Sequence, residues 1–259
     1  MSDSTPEYDG IVEAYDRQKR SDRVTMCQYP SLLNALGDLK DKRILALACG
    51  GGRPARLFAE KGARGIVGID ISSEQIRLAK EKEAKLRQGI QYHVGDCFDM
   101  DFTQFGKFDL VTMIQFLHYA DKKEKITKAL IEARQVLRAG GYCVGQIGNP
   151  DLGTNYDRYR TKVSANSDKE GTPMLIELFD FGGEKFCEFH NYHWLRSTYE
   201  QAFRDTGFSF EWMPSLVSEE GMEKYGADFW REQIAMPNCP VFKLIPWSGN
   251  ESPTCTSTR

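Results

Sequence analysis

Short apolar runs separated by amphipathic stretches set the rhythm of the chain. Ile44 to Leu47, Gly65 to Ile69, Ile90 to Val94 and a run opening at Phe108-Asp109-Leu110-Val111 read as four strands. Helical signals stand between them. Pro54 occupies a position where the first helical turn tolerates a missing N–H, and Ser72 with Gln75 three residues on forms a capping box for a helix through Arg87. A further helix over Lys122 to Leu137 is expected to end at Gly140-Gly141. Upstream, Tyr8, Ile11, Val12 and Tyr15 make a stripe of period near 3.6 over Tyr8 to Arg20. A second helix fits within Gln28 to Leu39, before the polar Lys40-Asp41-Lys42 hands over to the first strand. From Pro150 to Pro173 the pattern breaks into Gly, Asn, Asp, Ser and Lys and reads as a long excursion without core elements. Met174 to Phe181 and Lys185 to Asn191, joined across Gly182-Gly183, form a candidate hairpin. The polar tail from Ser248 is expected to be disordered. The domain expectation is therefore one unit over 1–247, with helices at 1–40 and the 150–192 excursion and hairpin as its lid.

The connection between the first two strands changes the picture from fold to chemistry. Cys49-Gly50-Gly51-Gly52 leaves almost no side chain at the strand-to-helix turn, so ligand atoms can lie directly on backbone. Asp70, at the end of the second strand, follows Gly50 by 20 residues, about the spacing (~20 residues) at which an acid meets a ribose hydroxyl pair. A dinucleotide reading with Gly50, Gly52 and Ala55 as the phosphate loop is compatible with this stretch. The residues after the third strand point elsewhere: a second acid, Asp96, in Gly95-Asp96-Cys97, suits an adenine amino group.

Composition narrows the class. With 259 residues, 41% hydrophobic content and a net charge of −3, the chain reads as one ordinary globular domain with a full core. Its 34 Lys and Arg against 37 Asp and Glu offer no basic excess for nucleic acid. No apolar stretch approaches the ~20 residues that cross a bilayer. The seven cysteines lack C-x-x-C pairs and zinc-type His partners, so reduced thiols, a cytoplasmic location and no metal are expected.

Over nearly its whole length the chain resembles the class I S-adenosylmethionine-dependent methyltransferases. The elements that carry the resemblance are LALACGGG, GIDIS, YHVGDC, FDLVTMIQFLHYA and LRAGGY, with NYHWLRSTYEQAFRDTGFSFEWM resembling the closing helix-strand unit of the small-molecule, toxoflavin-type branch. The resemblance implies an α/β, Rossmann-like doubly wound fold: a seven-stranded, mostly parallel sheet with a reversed C-terminal hairpin strand, under an N-terminal helical lid. It also implies S-adenosyl-L-methionine as cofactor and a small organic molecule of specialised metabolism as acceptor of a methyl on O, N or S. One departure is Ala46, in the first strand where these families usually carry an acid. That departure gives footing to an alternative: a methyltransferase-like protein that uses the cofactor without methyl transfer, as a cyclase or dehydratase.

Carried onto this chain, the motifs bring the backbone of Ala48, Gly50 and Gly52 to the methionyl part and assign Asp70 to the ribose. Ile71 covers an adenine face, Asp96 and Cys97 read the adenine edge, and Gln115 approaches the sulfonium. Tyr15, Lys19 and Arg23 are lid candidates, a cation there pairing with the methionyl carboxylate. His118, just beyond the fourth strand at the ligand-binding end of an open α/β sheet, is the candidate general base, and Tyr119 is the candidate for positioning substrate. Asn191, His193 and Trp194 form an aromatic-polar cluster expected to face the substrate.

Overall fold

The computed structural model describes residues 24–247 other than Tyr159 and Phe181. The stripe from Tyr8 to Arg20, and with it the lid candidates Tyr15, Lys19 and Arg23, lie outside the described residues, as does the tail from Ser248.

Strand and helix alternate from the outset, because each apolar run is too short to bury itself and needs a sheet neighbour. Helix α1 (Tyr29–Leu36) leads into β1 (Ile44–Leu47), α2 (Arg53–Glu60), β2 (Val67–Asp70), α3 (Ser73–Leu86), β3 (Gln91–Val94), β4 (Phe108–Ile114), α4 (Lys123–Gln135) and β5 (Leu137–Gln146). Four antiparallel strands follow: β6 (Tyr156–Arg158), β7 (Thr161–Ala165), β8 (Pro173–Phe179) and β9 (Lys185–Tyr192). The described chain closes with α5 (Arg196–Asp205), β10 (Phe208–Met213), α6 (Glu219–Ala235) and β11 (Val241–Pro246).

The main sheet runs β10-β11-β5-β4-β1-β2-β3. Its strands are parallel except β11, which runs antiparallel to both β10 and β5. This is the Rossmann-like doubly wound arrangement with the reversed closing strand. All four residues of β1 are buried: Leu45 and Leu47 join the core under α4 and α5, while Ile44 and Ala46 join the one under α1, α2 and α3. Strand order reverses between β1 and β4, and ligands bind outside the carboxyl ends of strands at such a point. No described helix is long and apolar enough to cross a membrane.

Two expectations need correcting. The stretch after Pro150 is not a bare excursion: β6 and β7 pair there, and β7 adds to β8 through Val163↔Ile176. Thr161 and Val163 are buried with Lys162 exposed between them, a period-2 signal too short to stand out until a neighbour supplies its hydrogen bonds. The helix expected to run to Leu137 stops at Gln135, and Gly140-Gly141 lies inside β5, beside the register shift between Phe108 and Leu110. A glycine pair can mark a bulge as readily as a stop.

The small sheet has its own apolar face of Val163, Ile176, Leu178, Cys187 and Phe189. Its outer face carries charge, with Lys185 3.1 Å from Glu177 and 2.6 Å from Glu188. The sheet is therefore one-sided, and its apolar side turns toward the carboxyl ends of the main strands.

Candidate functional site

A cavity of about 420 Å³ lies between the carboxyl ends of β1, β2 and β4 and the apolar face of the small sheet. At one end it is lined by Ala46 to Gly50, Asp70, Ile71, Asp96, Cys97 and Phe98, and at the other by Tyr156, Ile176, Leu178 and Phe189. Its volume falls in the usual small-molecule range of roughly 300–1,000 Å³.

The turn after β1 is built by backbone geometry. Ala48, Gly50 and Gly52 all have positive φ, at 50°, 52° and 74°. Left-handed backbone at Ala48 is uncommon for a residue with a Cβ, and such strain gathers where a ligand is held. Asp70 holds the turn from the next strand: Oδ2 accepts from the Gly50 N–H at 2.7 Å and Oδ1 from the Ser72 N–H at 3.0 Å. The carboxylate thus fixes the loop beside which it lines the cavity. Asp96 is held similarly, Oδ1 accepting from the Phe98 N–H at 2.8 Å. The Ser72 hydroxyl accepts from the Gln75 N–H at 3.1 Å, the expected cap of α3.

Gly52 opens α2 under a second constraint. A Cβ there would lie 2.3 Å from the hydroxyl of Tyr92, on top of the positive φ. Tyr92 is 4% exposed and has little room to retreat. Gly52→Ala is expected to cost about 1–3 kcal/mol of stability from backbone strain and overpacking, read as a lower urea midpoint with unchanged slope.

Nine of the predicted residues line this cavity in the structure: Ala48, Gly50, Asp70, Ile71, Asp96, Cys97, Gln115, Tyr119 and Asn191. Gly52 stands behind the turn. Burial pushes the Cys97 thiol up, so it remains a protonated wall atom. Gln115, at φ 54°, donates from Nε2 to Oε1 of Gln146 at 3.3 Å. The Tyr119 ring sits between His118 and Phe189, at centroid separations of 4.6 and 6.4 Å, and closes the wall.

His118 is arranged differently from its sequence-based role. It sits in the turn Leu117–Tyr119, is buried, and borders a small separate void instead of the main cavity. Its Nδ1 accepts from the Gly148 N–H at 3.0 Å, which leaves Nε2 as the protonated nitrogen of a neutral ring. Desolvation lowers its pKa from 6.5 to about 3. A ring whose lone pair is already engaged does not accept a proton from substrate; this geometry makes His118 an anchor for the β5 exit.

The aromatic-polar cluster divides likewise. Asn191 lines the cavity, whereas His193 and Trp194 border only the small void. The His193 amide donates to Thr172 O, prolonging the β8–β9 pairing by one step, and the Trp194 indole donates to Ala120 O at 2.9 Å, which ties the end of β9 to the main body. β9 ends at Tyr192, so its alternation does not carry on to these two side chains.

Several lining residues carried no sequence signal, among them Gln28, Tyr29, Gln146 and Asn238. They come from a helix start, a strand end and a loop that are far apart in the chain. Period-2 alternation through Cys187, Phe189 and Asn191 was the one legible cue, since all three are buried on a single face of β9. Among the described residues no three His, Cys, Asp or Glu side chains gather as a metal site.

The cavity's charge is also distinctive. Its described lining holds Asp70, Asp96 and Asp121, with the Lys125 Nζ paired to Asp121 at 2.8 Å. Acid at the loop end and apolar surface at the other suit a ligand with a cationic, sugar-bearing half and a neutral neighbour.

Residues 45–145 match the family model described as a methyltransferase domain. The mRNA cap guanine-N(7) methyltransferase of Schizosaccharomyces pombe is 28% identical over 42% of this chain and 32% of its own length. A ubiquinone biosynthesis O-methyltransferase of Aromatoleum aromaticum is 25% identical over 58% of each. The chain therefore spans between a third and three fifths of these curated relatives. Among solved structures, an S-adenosylmethionine-dependent methyltransferase from Clostridium acetobutylicum superposes with a TM-score of 0.63 at 18% identity, over 93% of this chain and 99% of the other. The sequence match to a methyltransferase domain is confined to residues 45–145, and the fold of the described chain is the one that this solved enzyme has.

Proposed function

We propose that this domain binds S-adenosyl-L-methionine and transfers its methyl group to O, N or S of a small organic molecule. The observation that supports the reading is the continuous cavity that joins the Asp70 and Asp96 end to the apolar face of the small sheet. When bound, the cofactor supplies an electrophilic methyl on a sulfonium centre. Asp70 would receive the ribose hydroxyls, Asp96 and the Cys97 backbone the adenine edge, and the Ala48 to Gly50 backbone the methionyl part.

The remaining work is positioning. Ile176, Leu178 and Phe189 cover the acceptor half and exclude water, and holding two reactants in line supplies a large share of such a rate enhancement. The acidic lining favours a sulfonium and disfavours phosphate-rich RNA, which sets this reading apart from that of the cap enzyme. We place the protein in the small-molecule, toxoflavin-type branch, acting in the cytoplasm in specialised metabolism; the described cysteines, which form no disulfide among themselves, and the α5–β10 closing unit are consistent with that placement.

Calorimetry with S-adenosylmethionine and with its demethylated product S-adenosylhomocysteine tests the cofactor half, and binding is expected for both. Absence of heat at millimolar ligand would end the proposal. Incubation with isotopically labelled cofactor and cell extract tests the reaction: a product heavier by one methylene unit is expected. An unchanged or dehydrated product mass would instead assign the non-transfer chemistry to which Ala46 gives footing.

A further inference from the structure

The apolar end of this cavity is a β-sheet face whose make-up follows from strand register. Pairing sets Tyr156, Val163, Ile176 and Phe189 in one row across β6, β7, β8 and β9, and Thr161, Leu178 and Cys187 in the next. Side chains directly across from one another on paired strands share a face. Val163, Ile176, Leu178, Cys187 and Phe189 accordingly form one buried cluster, with Tyr119 and Tyr156 packed against it. From this face Tyr156, Thr161, Ile176, Leu178 and Phe189 border the cavity. A row of four strands spans about 14 Å, at ~4.8 Å from each strand to the next.

Pleating decides where the charge goes. The alternate positions Lys162, Glu177 and Glu188 fall on the other face, where Lys185 pairs with both glutamates. None of these three borders the cavity. Among the five residues that do, the only polar side-chain atoms are the hydroxyls of Tyr156 and Thr161, and Asn191, on the same face of β9, adds an uncharged amide. The carboxylates of the described lining are Asp70 and Asp96, in the segments that close β2 and follow β3, and Asp121, which the Lys125 Nζ pairs at 2.8 Å. Ile176, Leu178 and Phe189 are no more than 7% exposed. A charge brought onto this face gives up its water and meets no counter-charge on it.

Resting on the methyltransferase reading above, we infer that the methyl acceptor is an uncharged, largely apolar ring compound that lies flat along the row from Tyr156 through Ile176 to Phe189, and that this row sets specificity. A planar ring gains most contact on a flat sheet face, and the Phe189 and Tyr119 rings, 6.4 Å apart, add aromatic surface at its end. The nucleophilic O, N or S is the one polar group such a compound needs, and it faces the cofactor. Sugars and nucleotides fit poorly for the same reason, because their hydroxyls and phosphates would be buried against Ile176, Leu178 and Phe189 without partners.

The test uses the full chain saturated with S-adenosylhomocysteine, whose binding is measured first and separately. Calorimetry then compares 2-naphthol, neutral and bicyclic; 2-naphthoate, its anionic counterpart; and guanosine 5′-monophosphate. 2-Naphthol is expected to bind at least about tenfold more tightly than either of the others. Ile176→Thr, which puts a hydroxyl on the row, should weaken 2-naphthol by about tenfold, and Ile176→Lys, which supplies a counter-charge, should reverse the order in favour of 2-naphthoate. Both variants should keep their affinity for S-adenosylhomocysteine within about twofold of the wild type; where Ile176→Lys loses it, Ile176→Thr decides alone. Equal affinity for the three probes, absence of binding included, a preference for the anion or the nucleotide, or affinities that neither substitution moves overturn the inference.

The product of the incubation with labelled cofactor and cell extract gives an independent readout. Its label should pass from water into ethyl acetate at neutral pH, as a neutral apolar compound does. Label held in the aqueous layer on a charged or sugar-bearing product overturns the inference. Failure of the wild-type protein to bind S-adenosylhomocysteine, or to form any labelled product, would count against the methyltransferase reading instead.

Discussion

Asp70→Ala is expected to raise the dissociation constant for S-adenosylhomocysteine by about 30- to 1,000-fold, the equivalent of ~2–4 kcal/mol. Two losses combine. The first is the pair of charge-assisted hydrogen bonds that the carboxylate would offer a ribose. The second is the order of the loop itself, because the same carboxylate accepts the Gly50 N–H at 2.7 Å and the Ser72 N–H at 3.0 Å. Alanine leaves both amides without that partner, and a turn containing Ala48 and Gly50 at positive φ is freed to relax. Asp70→Asn separates the contributions: one amide oxygen keeps the shape and a single N–H acceptor but removes the charge, so its loss should be intermediate. Isothermal titration of the three proteins decides the matter. Affinity for Asp70→Ala equal to that of the wild type would mean that the ribose lies elsewhere.

The second large effect is on stability in acid. In the folded protein His118 has its pKa depressed to about 3 by burial, from an ordinary 6.5. Below pH 6.5 the unfolded chain takes up a proton that the folded chain refuses, so the unfolded state gains relative to the folded one. The contribution is fully present above pH 6.5 and is lost as the pH falls toward 3, at about 1.4 kcal/mol per unit. Between pH 6.5 and 5 the wild type should therefore lose about 2 kcal/mol more than His118→Asn, whose Oδ1 stands in for Nδ1 toward the Gly148 N–H. Urea titrations of both proteins across this range cancel the carboxylates they share. Parallel stability curves would refute the buried neutral imidazole. Activity should follow the same logic: with its lone pair engaged by Gly148, His118 does not set the pH profile of turnover.

The two effects mark where local sequence information stopped. Asp70 and Gly50 were legible because their relation is local: a strand, a turn, a helix and a strand place an acid and a glycine at a fixed separation however the rest folds. The Ser72 cap of α3 and the strand at Ile44–Leu47 were legible for the same reason. His118 was not. Its address at the exit of β4 matched a base, but its function follows from which atom faces Nδ1, and that atom is contributed by Gly148, 30 residues later. His193 and Trp194 failed similarly, since their partners Thr172 and Ala120 belong to other segments.

What residue order alone settled is the loop end of the cavity: the doubly wound sheet, the bare turn after β1 and the acids closing β2 and following β3, because each depends on neighbours within one strand-helix-strand unit. Tertiary structure decided the opposite, apolar end. There β6 and β7 become strands only when β8 and β9 pair with them, and Gln146, Asn191 and Asn238 are brought to one cavity from the end of β5, from β9 and from the segment before β11. Which side chains border a cavity is a property of the assembled whole, and no window of local sequence contains it.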